Sequence, residues 1–424
     1  MIKFIFKGII RDKSRSLLPV IVVASGVFLT VLMSAWMRGI FSDMIDMSAN
    51  FTTGHVKIMT KAYAENIDQM PNDLALLDVD SLVKQLNADY PDMEWVKRIR
   101  FGGLIDVPDA NGETRAQGPA AGTAIDMLSP GSTEVNRMNI PKSIVKGTLP
   151  QKQGEALISN EFAEKFKVSV GDAVTLFGST MNGSMMFKTF IVSGTLSFGN
   201  TMLDRGAIFI DITDAQLALD MNDGASEITG YFTGSGYDNI KALAVKTSFN
   251  AKYGDAPDEF SPVMFRLVDQ NDLEEYLNMA ENMSGIMISI FIIAMSIVLW
   301  NTGLLGGLRR YTEYGIRLAL GEEKKHIYMT IVYEAILIGL IGSVIGTAAG
   351  LGLSFYLQEY GIDLGSLMKN TGMMMPTVFK ASITPDLLYI GFFPGVIATV
   401  LGNSLAGFAI YKRKTSRLFH ELEV

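Results

Sequence analysis

Four runs of apolar residues decide what this chain can become. A run of about 20 apolar residues is long enough to cross a hydrocarbon core of ~30 Å as a helix. Residues 17–37, 283–300, 328–356 and 387–411 each reach that length. Between the first two runs lie roughly 240 residues of mixed composition, enough for one or two folded domains. The overall mean hydropathy of +0.26 is the average of these two kinds of sequence. The expected fold class is an α-helical membrane protein with four transmembrane helices in a 1+3 order. A mixed α/β extracytoplasmic domain is inserted between spans one and two.

Charge orients the spans. Residues 43–281 carry 34 acidic and 19 basic side chains, a net of −15, while the rest of the chain has 10 acidic and 17 basic, a net of +7. The basic excess sits in three short clusters: Lys3 to Arg15, Arg309 to Lys325, and Lys412 to Arg417. Each abuts the end of an apolar run, so the positive-inside rule places all three in the cytoplasm and the acidic block outside. Both termini are then expected inside. The short loop 358–385, with only Lys369 and Lys380, is expected outside. Basic clusters this short and this close to spans suit a membrane surface rather than a nucleic acid. The first run exceeds a signal-peptide core and has no clear A-x-A site after it, so it is expected to be an uncleaved span with Trp36 and Arg38 at the interface. With no cysteine in the chain, no disulfide framework is available, and this alone settles no compartment.

The organisation expected along the chain is a cytoplasmic amphipathic helix (1–16), span one (17–41) and the extracytoplasmic domain (42–282). Span two (283–303), a cytoplasmic loop (304–327), span three (328–357), the outer loop (358–385), span four (386–411) and a cytoplasmic tail (412–424) follow. Inside the large domain, strands and short helices alternate from residue 155 to 248, which implies a sheet with helices packed on it. Residues 269–282 keep a helical apolar spacing with no breaker before Gly285, so span two is expected to extend outward as one stiff helix. Span three places Gly342, Gly346 and Gly350 at steps of four, and span four has Gly391 and Gly395. Small residues on one helix face let backbones approach closely, within one chain or at a dimer seam.

The loop 309–327 reads RRYTEYGIRLALGEEKKHI. Ile316, Leu318, Ala319 and Leu320 offer an apolar surface, Glu313 and Arg317 stay polar, and Gly321 is a plausible helix stop. A short amphipathic helix held out from two spans suits a partner's groove. The run Glu313-Tyr314-Gly315-Ile316-Arg317-Leu318-Ala319-Leu320-Gly321 resembles the E-x-G-[IV]-x-x-A-[LI]-G signature of FtsX-like permeases, the superfamily of MacB, LolC/LolE and FtsX. A second stretch is similar to the same superfamily: VKGTLPQKQGEALISNEFAEKFKVSVGDAVTL, followed by FKTFIVSGTL and RGAIFIDITDAQLAL. The layout looks closest to LolC/LolE, whereas E-Y-G-I-R is nearer the MacB form.

The resemblance implies a permease subunit of an ABC transporter in the inner membrane of a diderm bacterium. It would form a homodimer or heterodimer with a second permease protomer and work with two copies of an ABC ATPase. Its loop helix would be the coupling helix that meets the ATPase, and its mechanism mechanotransmission. The cargo implied is a lipoprotein passed to a periplasmic acceptor, seated between spans one and two of facing protomers. The alternatives are efflux of drugs, peptides or amphiphiles with a periplasmic adaptor, and an FtsX-like signalling role on a cell-wall hydrolase. No GxxxxGK[ST] or LSGGQ occurs in the sequence, so ATP and Mg are expected on the partner ATPase and no cofactor in this chain.

Other constellations invite chemistry. Met181, Met185, Met186 and Met373–Met375 could suggest Cu(I), which favours thioethers. His55 is the only histidine in the outside block, however, and methionine is a common filler of adaptable apolar surfaces. Glu334 lies about one turn inside span three, where an ionisable group is a functional candidate or pairs near the interface with Arg317 or Lys324. The three histidines are scattered, so no catalytic set assembles; no metal site and no enzyme activity are expected.

Overall fold

The computed structural model describes residues 13–109, 111–199, 201–234, 236–254, 258–270, 273–309, 311–363 and 378–411. The amphipathic helix expected over 1–16 falls mostly outside these, as do Met373–Met375 and the basic tail. The chain divides into two compact units. One holds residues 1–42, 277–362 and 378–424, and the other residues 43–276 and 363–377.

Among the described residues, the helices of seven residues or more are α1 (Lys13–Ser48), α2 (Val79–Asp89), α3 (Asn160–Phe166), α4 (Ile212–Ala218), α5 (Asn239–Tyr253), α6 (Leu273–Arg309), α7 (Tyr311–Ala319), α8 (Lys324–Tyr360) and α9 (Leu387–Tyr411), and single helical turns such as Glu134–Arg137 lie between strands of the inserted unit. Four of them, α1, α6, α8 and α9, carry segments long and apolar enough to cross a membrane. In this helical unit, a Cβ on Gly342, Gly346 or Gly350 of α8 would run into Val23, Val27 or Val31 of α1 at 2.7–2.9 Å. Both series advance by four in the same direction, so α1 and α8 run parallel, one residue line nested in the other. Gly395 of α9 meets Ser343 and Val27, and Gly391 meets Thr347 and Val31, so α9 runs antiparallel to both. Helix α6 joins through Met295 and Leu299, which are buried with Val23, Val27, Val31 and Ala398. Met295 fills the space beside Gly26, and Leu299 lies against Gly402. The glycine steps are thus occupied within a single chain.

The inserted unit contains β1 (Val56–Thr60), β2 (Met93–Pro108), β3 (Thr114–Ile125), β4 (Ile144–Gly147), β5 (Glu155–Ser159), β6 (Ala173–Ser179), β7 (Met185–Leu196), β8 (Ala207–Asp211), β9 (Glu227–Phe232) and β10 (Pro262–Arg266). Long β2 serves two sheets. Its first half pairs with β9, and β1 and β10 extend that sheet outward. Its second half pairs with both β3 and β6. The ring β2–β3–β8–β5–β7–β6 then closes on β2, giving a six-stranded barrel rather than the open helix-covered sheet that the alternation suggests. The β3–β8 and β5–β7 pairs are parallel. Side chains fill so small a barrel. Phe101, Ile105, Val174, Leu176, Phe190, Val192, Ile208 and Ile210 are buried there, and Gly122 leaves room for the Phe101 ring, which a Cβ would strike at 2.0 Å.

Local chemistry sets the joints. Gly171 adopts φ +97°, and the Asp172 carboxylate accepts from Ser169 N–H at 2.8 Å, turning the chain into β6. Asp211 caps α4 by accepting from Thr213 N–H, and its other oxygen accepts from Met127 and Leu128 N–H. Each such cap satisfies backbone donors that a helix start leaves orphaned.

Candidate functional site

Two features of the helical unit are placed to meet other molecules: the loop helix α7 and a groove between α1 and α6.

Helix α7 follows α6 after one residue and is separated from α8 by a Gly-bearing turn. Its C-terminus closes by paired bonds. Glu322 N–H donates to Arg317 O at 3.0 Å, and Gly321 N–H donates to Leu318 O at 3.1 Å. That pattern needs a left-handed residue after the helix, and Gly321 supplies it at φ +90° with open space around it. Tyr314 is buried and anchors one side of the helix, whereas Ile316 and Leu320 are exposed at 56% and 82%. These two lie one turn apart on the same face, beside exposed Glu313. Arg317 lies between Glu313 at 3.8 Å and Glu322 at 3.9 Å, and Glu322 also faces His326 at 3.7 Å. Leu318 and Ala319 complete the last turn, and Gly315 lies mid-helix. The result is an apolar pair framed by a polar network on a helix capped to stop at a fixed point, as docking into a complementary groove requires.

The groove lies between Thr30, Met33, Ser34 and Met37 of α1 and Met287, Ile288 and Phe291 of α6. Three methionines and a phenylalanine make an apolar wall that can reshape around a flexible chain. Thr30 turns its hydroxyl back onto Gly26 O at 2.8 Å, so it presents its methyl side rather than a free donor. Sequence reasoning named the two spans but not these residues. Their spacing is that of any apolar helix.

The remaining candidates separate. Glu334 lies in α8. The outside methionines do not converge: Met186 points into the barrel core at 2% exposure, while its neighbour Met185 is 72% exposed on the opposite face of β7. Among the described residues, no three of His, Cys, Asp and Glu are grouped to hold a metal ion.

A buried polar cluster lies instead in the inserted unit, beneath the residues that follow α1. Lys57 Nζ meets Glu227 Oε2 at 2.6 Å and Arg98 Nε meets Glu134 Oε2 at 2.7 Å, all four side chains almost fully buried. Burial alone would raise the Glu227 carboxyl, but Lys57, Arg100 and Arg98 bring it below its usual range. Burial lowers Lys57 from the ordinary lysine value, opposed by Glu227.

Two family models match the chain. Residues 16–258 match the MacB-like periplasmic core domain, and residues 285–415 match the FtsX-like permease C-terminal family. Among curated relatives, a lipoprotein-releasing system transmembrane protein LolC of Haemophilus influenzae is 21% identical over 252 residues, 58% of this chain and 59% of that protein. The LolC of Xylella fastidiosa is 26% identical over 253 residues, 57% of this chain and 56% of that protein. A macrolide export ATP-binding/permease protein MacB of Wolinella succinogenes is 27% identical over 134 residues, 31% of this chain and 20% of that protein. The chain therefore spans less than two thirds of the length of each of these relatives. The solved periplasmic region of MacB from Actinobacillus actinomycetemcomitans aligns with 55% of this chain and 95% of its own length, at a TM-score of 0.37 and 9% identity. With more than half of its residues matched by the first model, the chain belongs to the MacB-like periplasmic core domain family.

Proposed function

We propose that this chain is the membrane subunit of an ABC transporter, driven by ATP hydrolysed on a separate ATPase. The observation that carries the reading is α7, an exposed Ile316/Leu320 pair beside Glu313 on a short helix with a fixed stop, held between two long apolar helices. Two ATPase copies would each take one such helix from a dimer of permease protomers. Nucleotide-driven closure would displace α7, and the stiff 36- and 37-residue helices α1 and α6 would carry that displacement to the inserted domain in the periplasm. The work is then done outside the membrane, by mechanotransmission rather than by a channel.

The cargo this arrangement suits best is a lipoprotein, its acyl chains lying in the Met-lined α1–α6 groove before transfer to a periplasmic acceptor. Support comes from the apolar, adaptable lining and from the two LolC relatives, which belong to lipoprotein-releasing systems. Export of an amphiphile through a periplasmic adaptor is the second reading, favoured by the relative named as a macrolide exporter.

Purification of the tagged chain in mild detergent, with mass spectrometry of what accompanies it, tests both. An ABC ATPase with lipoproteins or a soluble lipoprotein carrier supports extraction. An ATPase with a membrane-fusion adaptor supports export, and no ATPase overturns the proposal. Glu313→Ala and Gly315→Leu should uncouple ATP hydrolysis from function in a folded protein; intact coupling in both would remove α7 from the docking role.

A further inference from the structure

Helix α1 does not simply end where the inserted domain begins. After Ser48 the helix widens into a single π-turn, Ala49–Thr53, which Gly54 closes by donating its N–H to Ala49 O at 2.9 Å. Gly54 sits at φ +63°, and a Cβ there would lie 2.6 Å from Val56 O, so only glycine fits. Single π-turns inside or at the end of helices concentrate at functional positions.

A helix end leaves its last carbonyls without partners. Here two side chains of the sheet reach the first two carbonyls of the turn, at Ala49 O as a second donor beside Gly54 N–H. Tyr231 of β9 donates its hydroxyl to Ala49 O at 3.0 Å, and Arg98 of β2 donates Nη2 to Asn50 O at 2.8 Å. The two are joined, since Arg98 Nη2 also bonds Tyr231 Oη at 2.7 Å. Behind them stands a second tier. Glu134 accepts from Arg98 Nε at 2.7 Å and pairs with Arg137. Arg137 in turn pairs with Glu94 at 2.7 Å, and its guanidinium lies 3.9 Å from the centre of the Tyr231 ring. Arg98, Glu134, Arg137 and Glu94 balance to zero charge. Arg98 and Glu134 are 0% exposed and Tyr231 is 4% exposed. Two residues on, His55 N–H enters the sheet through Gly230 O at 3.0 Å.

We propose that Arg98 and Tyr231 are positioning residues that clamp the π-turn after α1 to the sheet, so that displacement of α1 is passed to the inserted domain instead of being absorbed at the helix end. The transmission role rests on the permease reading above, whereas the clamp itself does not. The physical case is the type of contact. An apolar patch under the turn would tolerate sliding, but two directional hydrogen bonds to consecutive carbonyls, the Arg98 one charge-assisted, fix both distance and direction. Burial keeps water from competing at Ala49 O, and Asn50 O is half-buried.

Hydrogen exchange of the full chain in lipid nanodiscs tests the clamp. Tyr231→Phe keeps the ring under Arg137 and removes one bond to Ala49 O. Arg98→Met with Glu134→Leu removes the other bond without stranding a buried charge. Both should speed exchange at the amides of residues 51–55 by about tenfold or more, with β5, β7 and β8 unchanged. Unchanged exchange at 51–55 would overturn the clamp. A uniform rise through the domain would overturn it too, because that is what a merely structural role produces. In the complex with the co-purified ATPase, Tyr231→Phe should leave basal ATP hydrolysis as it is and lower cargo release several-fold. Full release with a loosened turn would overturn transmission while leaving the clamp standing. A chain that recruits no ATPase overturns the permease reading and leaves the exchange result untouched.

Discussion

The helical unit and the inserted domain hold their parts in register by opposite means. Between α1, α8 and α9, glycines face valines and hydroxyls at distances no side chain could share, and the Arg38–Asp386 ion pair between α1 and the start of α9 lies outside these glycine lines. In the domain, the face of β1, β9 and β2 under the π-turn buries Lys57, Glu227 and Arg98 with Glu134. The difference follows from the solvent. Lipid tails compete with apolar side chains on equal terms, so helices associate through close contact and dispersion, which small residues permit. In water, apolar burial already drives the fold. A buried charge pair there adds little net stability but forbids alternative pairings. Specificity is steric in one unit and electrostatic in the other.

The sharpest break of that contrast is at Glu227. Glu227→Leu leaves the Lys57 ammonium buried without its 2.6 Å partner and should cost the domain about 3–5 kcal/mol. Lys57→Met combined with Glu227→Leu should recover most of that loss, since an apolar pair of similar size is often neutral. Denaturant titration followed by fluorescence of buried Trp95 reads both. A double variant as unstable as the single one would show that the face is held by something other than charge.

Electrostatic specificity also predicts acid sensitivity confined to the domain. His55 accepts the Phe232 N–H on Nδ1 at 3.0 Å and packs against the Tyr231 and Phe232 rings. Burial first and Arg137 second hold its pKa at about 4, against 6.5 ordinarily. The unfolded chain takes up this proton below pH 6.5 and the folded one only near 4. Stability from His55 is therefore complete above pH 6.5 and falls as pH drops from 6.5 to 4, by about 3 kcal/mol in all. Unfolding midpoints across that window should slope in the wild type and flatten in His55→Asn, whose amide oxygen can keep the Phe232 bond. An equal slope in the variant would assign the acid response elsewhere.

What the sequence made legible follows the same division. Apolar runs and glycines at steps of four are local patterns, so the long helices could be read directly, as could the stop of α7 at Gly321. Barrel closure could not. It depends on Leu104 pairing with Phe177 and Ile105 with Leu176, contacts between strands some 70 residues apart. Neither β4 nor β10 carries enough periodicity to announce a strand, at four and five residues with Pro262 opening the second. The buried polar face left no signal in the sequence for a clear reason. Glu227, Thr229 and Tyr231 alternate with apolar Ile228 along β9, a pattern that reads as a solvated face until the π-turn and the helix at Glu134 cover it. The α1–α6 groove left no signature because Thr30, Met33, Ser34 and Met37 differ little from ordinary membrane-helix lining.

Steric specificity can be tested by volume alone. Gly346→Leu would push a Cβ to 2.5 Å from Ala24 O and 2.8 Å from Val27, forcing α1 and α8 apart. Overpacking of this kind costs about 1–3 kcal/mol, and detergent thermal melts should show it with no dependence on pH between 7 and 4. Gly352→Leu, six residues on in the same helix with open space at its Cβ, is the matched control and should be close to neutral. Equal damage from both would mean that glycine serves the helix backbone rather than the seam. The smallest effect expected is at a cap. Asp238 accepts from Ile240 and Lys241 N–H at the start of α5, and Asp238→Ala should lower domain stability by about 1 kcal/mol. Because that bond is local and solvent-facing, the loss should add to that of Glu227→Leu within a few tenths of a kcal/mol. Coupling well above that would mean that the buried charge layer is strained by the whole domain rather than confined beneath the π-turn.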